Sequence, residues 1–282
     1  VINQNAWYQR WNAIKVIRGR YSQVTLEHLG IYVTIAIALV MSTLAIHNTL
    51  RFTESNVVFV ARQPLFLPIF ICTVLVSLYL GAIASVSVSR ERDRKTLEAL
   101  MYGPVDESAF LLGIFLAHVQ IFLVALAFLF IWSNLAVWLL NLGISLEVYS
   151  VFFVSVVMAS AIVAFGLLTA VWGDKTRTAL VIFILILLFL TGVQIADQIV
   201  SNMVVSSNPT SNDPILIIRN ALAIVTRLVQ WLSPYAQLIQ AMDAVANQSW
   251  IGFITNLGVL VIQTFVLLFG SVKLLTIKGA RG

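Results

Sequence analysis

Six separated runs of this chain, at about 29–50, 65–89, 108–140, 148–172, 178–199 and 251–275, are apolar over lengths at or above the roughly 20 residues that a helix needs to cross a bilayer. Lipid offers no partner for a bare backbone N–H or C=O. Each run must therefore satisfy its own backbone, which makes it a helix. Hydrophobic residues make up 60% and charged residues 10% of the 282, and the mean hydropathy is +0.96. A soluble domain with so little charge could not stay dispersed. The reading is an all-α integral membrane protein, one transmembrane domain over 1–282. Cys72 is the single cysteine and lies in an apolar run, so the chain has neither a disulfide framework nor a cysteine metal site.

The segments between the runs set the organisation. In 1–28, Trp7, Trp11, Ile14 and Tyr21 share one helical face, with Asn12, Lys15 and Arg20 elsewhere. This predicts an amphipathic helix in the membrane interface, not a cleaved signal peptide; the alternative is a frayed polar tail. Pro64 and Pro68 punctuate the start of the second span. Its later half, Ser77 to Ser89, is rich in Ser, Gly and Ala, which predicts close packing on protein. The third run is longer than one straight span requires, so it either tilts or ends in an interfacial turn marked by Trp132, Asn134 and Trp138. The short Gly173–Arg177 turn makes the fourth and fifth spans antiparallel neighbours. Residues 200–250 mix polar and apolar types and read as an extracytoplasmic segment with one or two interfacial helices, broken at Ser233–Pro234. The alternative is a further span between Ile215 and Trp231.

Thirteen of the seventeen Lys and Arg residues fall on alternate connections: Arg10, Lys15, Arg18 and Arg20; Arg90, Arg92, Arg94 and Lys95; Lys175 and Arg177; Lys273, Lys278 and Arg281. The other side holds Arg51, Arg62, Arg219 and Arg227. The positive-inside rule then places both chain ends in the cytoplasm, with six spans in the cell membrane.

Most of the interior charge sits in the cytoplasmic loop at 90–107. Glu91 and Lys95, then Arg94 and Glu98, have i,i+4 spacing, Leu97, Leu100 and Met101 share a face, and Gly103 and Pro104 stop the helix. A solvated linker is the plain reading of such a charge run. Mixed signs and an apolar stripe suit instead a short helix docked into a partner's groove.

Residues Glu91, Arg92, Asp93, Arg94, Lys95, Thr96, Leu97, Glu98, Leu100 and Pro104, followed by Leu111, Leu112, Gly113 and Ile114, carry a resemblance. They resemble the first cytoplasmic loop of type-two exporter permeases of the ATP-binding-cassette superfamily, approximately E-R-E-R-G-T-L-E-x-L-x-x-x-P and then L-L-x-G-K. Lys95 stands where that pattern has glycine, and Ile114 where it has lysine. The resemblance implies that Glu91, Arg92, Arg94, Thr96, Leu97, Glu98, Leu100, Met101 and Pro104 form a coupling helix between spans two and three. It also implies a cytoplasmic ATPase partner holding ATP and Mg²⁺, and a second permease subunit, identical or related.

The chain contains no G-x-x-x-x-G-K-[ST], no H-E-x-x-H and no G-x-S-x-G, so no catalytic, nucleotide-binding or metal-binding residues are expected. ATP would be hydrolysed elsewhere, and the chain itself is read as no enzyme. Nor is there a basic stripe for nucleic acid. Among polar groups within the runs, His47 and Asp197 lie near span ends, where solvation accounts for them. His118, with Gln120 nearby, is deeper; it either hydrogen-bonds between helices or lines a polar path. The rival to a transporting permease is a membrane-anchoring subunit that keeps the fold inside a larger assembly.

Overall fold

A computed structural model describes residues 2–56, 65–97, 106–141, 146–207 and 214–279. All regular structure among them is helical: α1 (Ile2–Glu27), α2 (Leu29–Asn56), α3 (Phe66–Asp93), α4 (Glu107–Leu140), α5 (Leu146–Trp172), α6 (Thr176–Ser207), α7 (Pro214–Leu232), α8 (Pro234–Ala246) and α9 (Trp250–Gly279). Six of these contain stretches long and apolar enough to cross a membrane: α2, α3, α4, α5, α6 and α9. Arg62 and Pro64, expected in the connection before the second span, lie outside the described residues.

The fold is built around the seam between α3 and α5, the most buried of the six. Small residues create the seam, because only they let two helix backbones approach closely. A Cβ on Gly166 of α5 would collide with the carbonyl oxygen of Gly81 on α3, and one on Gly81 would lie 2.7 Å from Ile162 and Phe183. Ser89 Oγ donates to the Ala170 carbonyl (3.2 Å), and Thr73 reaches Ser155 (3.4 Å) at the other end. Leu80, Ala84, Ser85 and Val88 are buried here, as the Ser/Gly/Ala-rich sequence of this half-span predicts. Phe183 brings α6 to the same seam, its ring 6.1 Å from that of Phe165.

The third span is one uninterrupted helix, α4. Its 34 residues extend about 51 Å at 1.5 Å each, and it stops at Asn141, whose left-handed backbone (φ 53°) returns its N–H to Val137. Trp132, Asn134 and Trp138 therefore mark no turn. The Asn134 side chain bonds back to the Phe130 carbonyl inside the helix.

Within the 200–250 segment, one helix, α8, does not lie on the outside of the bundle as an interfacial helix would. The break at Ser233–Pro234 is present, with Ser233 as N-cap of α8. However, α8 is packed inside the bundle: Tyr235, Ala236, Leu238 and Ala241 are buried, and the Tyr235 hydroxyl lies 3.4 Å from Ser77 of α3. The stretch read alternatively as a further span is α7, which carries Arg219 and Arg227 and is not among the six apolar helices.

Glutamines make the burial of this break tolerable. Pro234 has no N–H to give the carbonyl of Gln230, four residues back. Gln237 Nε2 supplies that donor at 2.9 Å, and Gln263 of α9 gives another to the Leu232 carbonyl at 2.6 Å. Gln237→Met keeps the length and removes the donor. It should lower stability in detergent by about 1 kcal/mol, read as a lower thermal midpoint than wild type; an unchanged midpoint would refute this role.

Candidate functional site

The charged stretch after the second span does not form the continuous helix its spacing predicts. Helix α3 carries on to Asp93, Arg94 N–H returns to the Arg90 carbonyl, and Lys95 adopts a left-handed backbone (φ 57°) before helical geometry resumes at Thr96 and Leu97. This costs an L-residue roughly 1 kcal/mol and a glycine nothing. The break separates Glu91 from Lys95, so they do not form an i,i+4 helical pair. Glu98, Leu100, Met101 and Pro104 lie outside the described residues.

Glu91 faces inward instead and is buried. Its Oε1 accepts from the Tyr21 hydroxyl of α1 at 3.0 Å and lies 3.5 Å from Arg20 Nη2; its Oε2 accepts from the Thr96 hydroxyl, which also lies 3.1 Å from the Glu91 carbonyl. One carboxylate thus joins α1, the end of α3 and the residue that restarts the chain after the turn. Burial, the Glu91 charge and the hydrogen bond to it push the Tyr21 phenol above its ordinary value of 10.0, so it stays a neutral donor. Its contribution is complete below that ordinary value and is lost as the pH climbs beyond it.

The neighbouring charges look the other way. Asp93 Oδ2 accepts from the Thr176 N–H (3.2 Å) and hydroxyl (2.5 Å), placing an anion on the N-terminus of α6 where the helix dipole favours it. Arg92 Nη1 lies 3.7 Å from Asp174 Oδ1, and Lys278 of α9 donates to the same oxygen at 2.9 Å and to the Trp172 carbonyl at 2.7 Å. The hydrogen bond and charge of Lys278, with Arg92, hold the Asp174 carboxyl below its ordinary range. This contact is complete at neutral pH and lost only as pH falls through that lowered value. The charged end of α3 is thereby tied to α1, the α5–α6 turn and α9.

Helix α1 is held along the start of α4. Arg10 pairs with Asp106, the Tyr21 ring meets Phe110 edge-on at 6.4 Å, and a Cβ on Gly113 would lie 2.7 Å from Ile17. Gly113 follows Leu111 and Leu112 in the segment that carries the resemblance, and this close approach explains the residue. The buried strip of α1 runs through Ile17 and Thr25, with Ile14 and Tyr21 half-buried beside it. Trp11, expected on that face, is largely exposed, with Lys15 Nζ 6.0 Å from its ring; the Trp7 side chain lies outside those described.

Of the expected coupling residues, Glu91 and Thr96 are brought together, Arg92 turns to Asp174, and Arg94 is exposed. Leu97 is 8% exposed, packed within the chain's own core. His118 is fully buried, its Nδ1 2.8 Å from the Ile114 carbonyl, while Gln120 is exposed on another face of α4, so the two do not converge on one path. Among the described residues no cluster of His, Cys, Asp and Glu has the makings of a metal site. The sequence assigns no site role to Tyr21, Asp174, Thr176 or Lys278; the available signal was that Asp174 and Thr176 stand in the turn between two spans and Lys278 at the end of the last.

The sequence model of one family, described as ABC-2 family transporter protein, matches residues 20–275, from within α1 through all six spans. A comparison with curated proteins gives no match.

Proposed function

The chain belongs to the ABC-2 transporter family as a membrane-spanning permease subunit, and from that premise we propose that it exports its substrate across the cell membrane on ATP hydrolysed by a separate subunit. Family membership implies an ATP-binding-cassette partner, and this chain has no phosphate-binding loop of its own. The partner binds ATP and Mg²⁺ in the cytoplasm, where the positive-inside count also puts both ends of this chain.

The observation that carries the mechanism is the clasp around Glu91, Arg92 and Asp93. The ATPase docks on the 90–104 loop, where Lys95 is exposed at the turn. Nucleotide-driven closure displaces the end of α3. Because Asp93 holds the first turn of α6 and Asp174 is shared by Arg92 and Lys278, that displacement carries α6 and α9 with it. Discrete packed arrangements, biased by ligand at each end, are what such a switch requires.

Helices α3 and α6, with α8, line an apolar concavity of about 650 Å³ walled by Val74, Leu78, Leu187, Tyr235 and Ile239. A second permease subunit, identical or related, covers this face and completes the pathway. Motion at the charged end of α3 and α6 is then motion of the pathway wall.

Purification of the tagged chain from its native membrane, with identification of retained proteins and an ATPase assay, tests the reading. Recovery of a Walker-motif ATPase with measurable hydrolysis is expected. Recovery of other membrane subunits with no ATPase would make the chain a structural anchor.

A further inference from the structure

A cavity of about 390 Å³ opens at the charged end of the bundle, between α1, the start of α2 and one face of α3. Its α3 wall is a single helical stripe. Tyr79, Ile83, Val86, Arg90 and Arg94 recur at three-, four- and eleven-residue intervals, which puts them on one side of the helix. The stripe is graded: the residues within the span are aromatic or aliphatic, and the two beyond its apolar part are cationic. Tyr79 and Arg90 stand about 16 Å apart at 1.5 Å per residue, so the cavity crosses the boundary between hydrocarbon and headgroups.

On the opposite wall Arg20, 3.5 Å from Glu91, stands at the charged end, Gly30 lies against Tyr79 at the other, and Val24 and His28 line the stretch between. Tyr21, Thr25 and Ser87 add hydroxyls along the side. The anion within reach, Glu91, has both oxygens engaged by Arg20, Tyr21 and Thr96. Arg90 and Arg94 are exposed and make no ion pair among the described residues, which leaves two guanidinium groups facing the mouth without a counter-anion. Guanidinium groups match phosphate oxygens in pairs, and basic pockets between spans at the membrane edge suit anionic headgroups.

We propose that this cavity binds the phosphate headgroup of an anionic membrane lipid, with Arg90 and Arg94 on the phosphate and the glycerol and acyl chains running past Val86, Ile83 and Tyr79. A free phosphate would satisfy the arginines but leave the apolar half of the cavity empty. The lipid fills both halves. It would also lie against Glu91 and Arg20, so its occupancy bears directly on the junction between α1 and α3. The inference stands apart from the ATPase reading and fails or holds without it.

The test is native mass spectrometry of the full chain in detergent, titrated with phosphatidylglycerol and, separately, phosphatidylcholine. Wild type should retain phosphatidylglycerol on the order of 25-fold more strongly, about fivefold for each of the two arginines near the headgroup. Arg90→Gln with Arg94→Gln should erase the preference, and Val86→Trp should erase binding by filling the cavity while leaving every charge in place. Arg177→Gln, at an exposed position outside the cavity, should change nothing. Equal retention of the two lipids by wild type would overturn the proposal. So would an undiminished preference in the arginine pair or in Val86→Trp, provided each melts like wild type. Displacement of phosphatidylglycerol by an equal concentration of glycerol phosphate would assign the cavity to a soluble anion and overturn the lipid.

Discussion

Gly166→Leu should leave little folded protein: expressed and solubilised, the variant is expected to aggregate on size exclusion while wild type elutes as a defined species. The reason is local. A Cβ at position 166 already collides with the Gly81 carbonyl oxygen, and a backbone atom cannot rotate away as a side chain can. The leucine branch would then meet Ala84, in a seam where Leu80, Ala84, Ala161 and Ile162 are all fully buried. Relief requires parting α3 from α5, at an expected cost of about 3 kcal/mol or more. Gly192→Ala is the control, because nothing lies within 4 Å of a Cβ there. It should match wild type or gain roughly 0.5 to 1 kcal/mol from helix propensity. A Gly166→Leu variant that melted with wild type would contradict the packing described for the seam.

Glu91→Ala should weaken the permease's stimulation of its ATPase without releasing it. The substitution strips the acceptor from Tyr21 and Thr96 and removes the partner of Arg20. Charge-assisted hydrogen bonds of this kind are worth about 1.5 to 3 kcal/mol when one partner is charged. The clasp is one contact among many, so the bundle should still fold. Used to bias a two-position switch, however, the same energy corresponds to a change on the order of tenfold or more in the populations that the ATPase controls. Permease-stimulated hydrolysis in proteoliposomes is therefore expected to fall about tenfold, with the ATPase still bound. Glu91→Gln, which keeps one acceptor oxygen, puts a donor amide in place of the other and removes the charge, should fall between. Full stimulation in Glu91→Ala would show that force passes by another route.

The number of spans was legible because a 20-residue apolar run has one physical solution in lipid. The Ser/Gly/Ala half of α3 was legible for a related reason, since small side chains in a span imply a near neighbour. What escaped was decided by residues far apart in sequence. Glu91 and Lys95 have the spacing of a helical ion pair, yet the chain turns left-handed at Lys95 and Glu91 finds Tyr21, seventy positions away. Residues 200–250 look interfacial because they carry glutamines. Only the structure shows Gln237 and Gln263 supplying donors to the carbonyls near the Pro234 break, which lets α8 enter the bundle. Leu97 belongs to an apolar stripe in the sequence, but the turn before it points it into the chain's own core. A charge placed there would disturb this subunit as well as any docked partner.

That makes the exposed turn residue the better reporter of docking. A photo-cross-linking amino acid at Lys95, introduced into the full chain and activated in native membranes, asks directly what covers the loop. The account predicts a cross-link to a Walker-motif ATPase, with a yield that changes when ATP is added. Cross-links only to lipid or to other membrane subunits, with no ATPase captured, would contradict it.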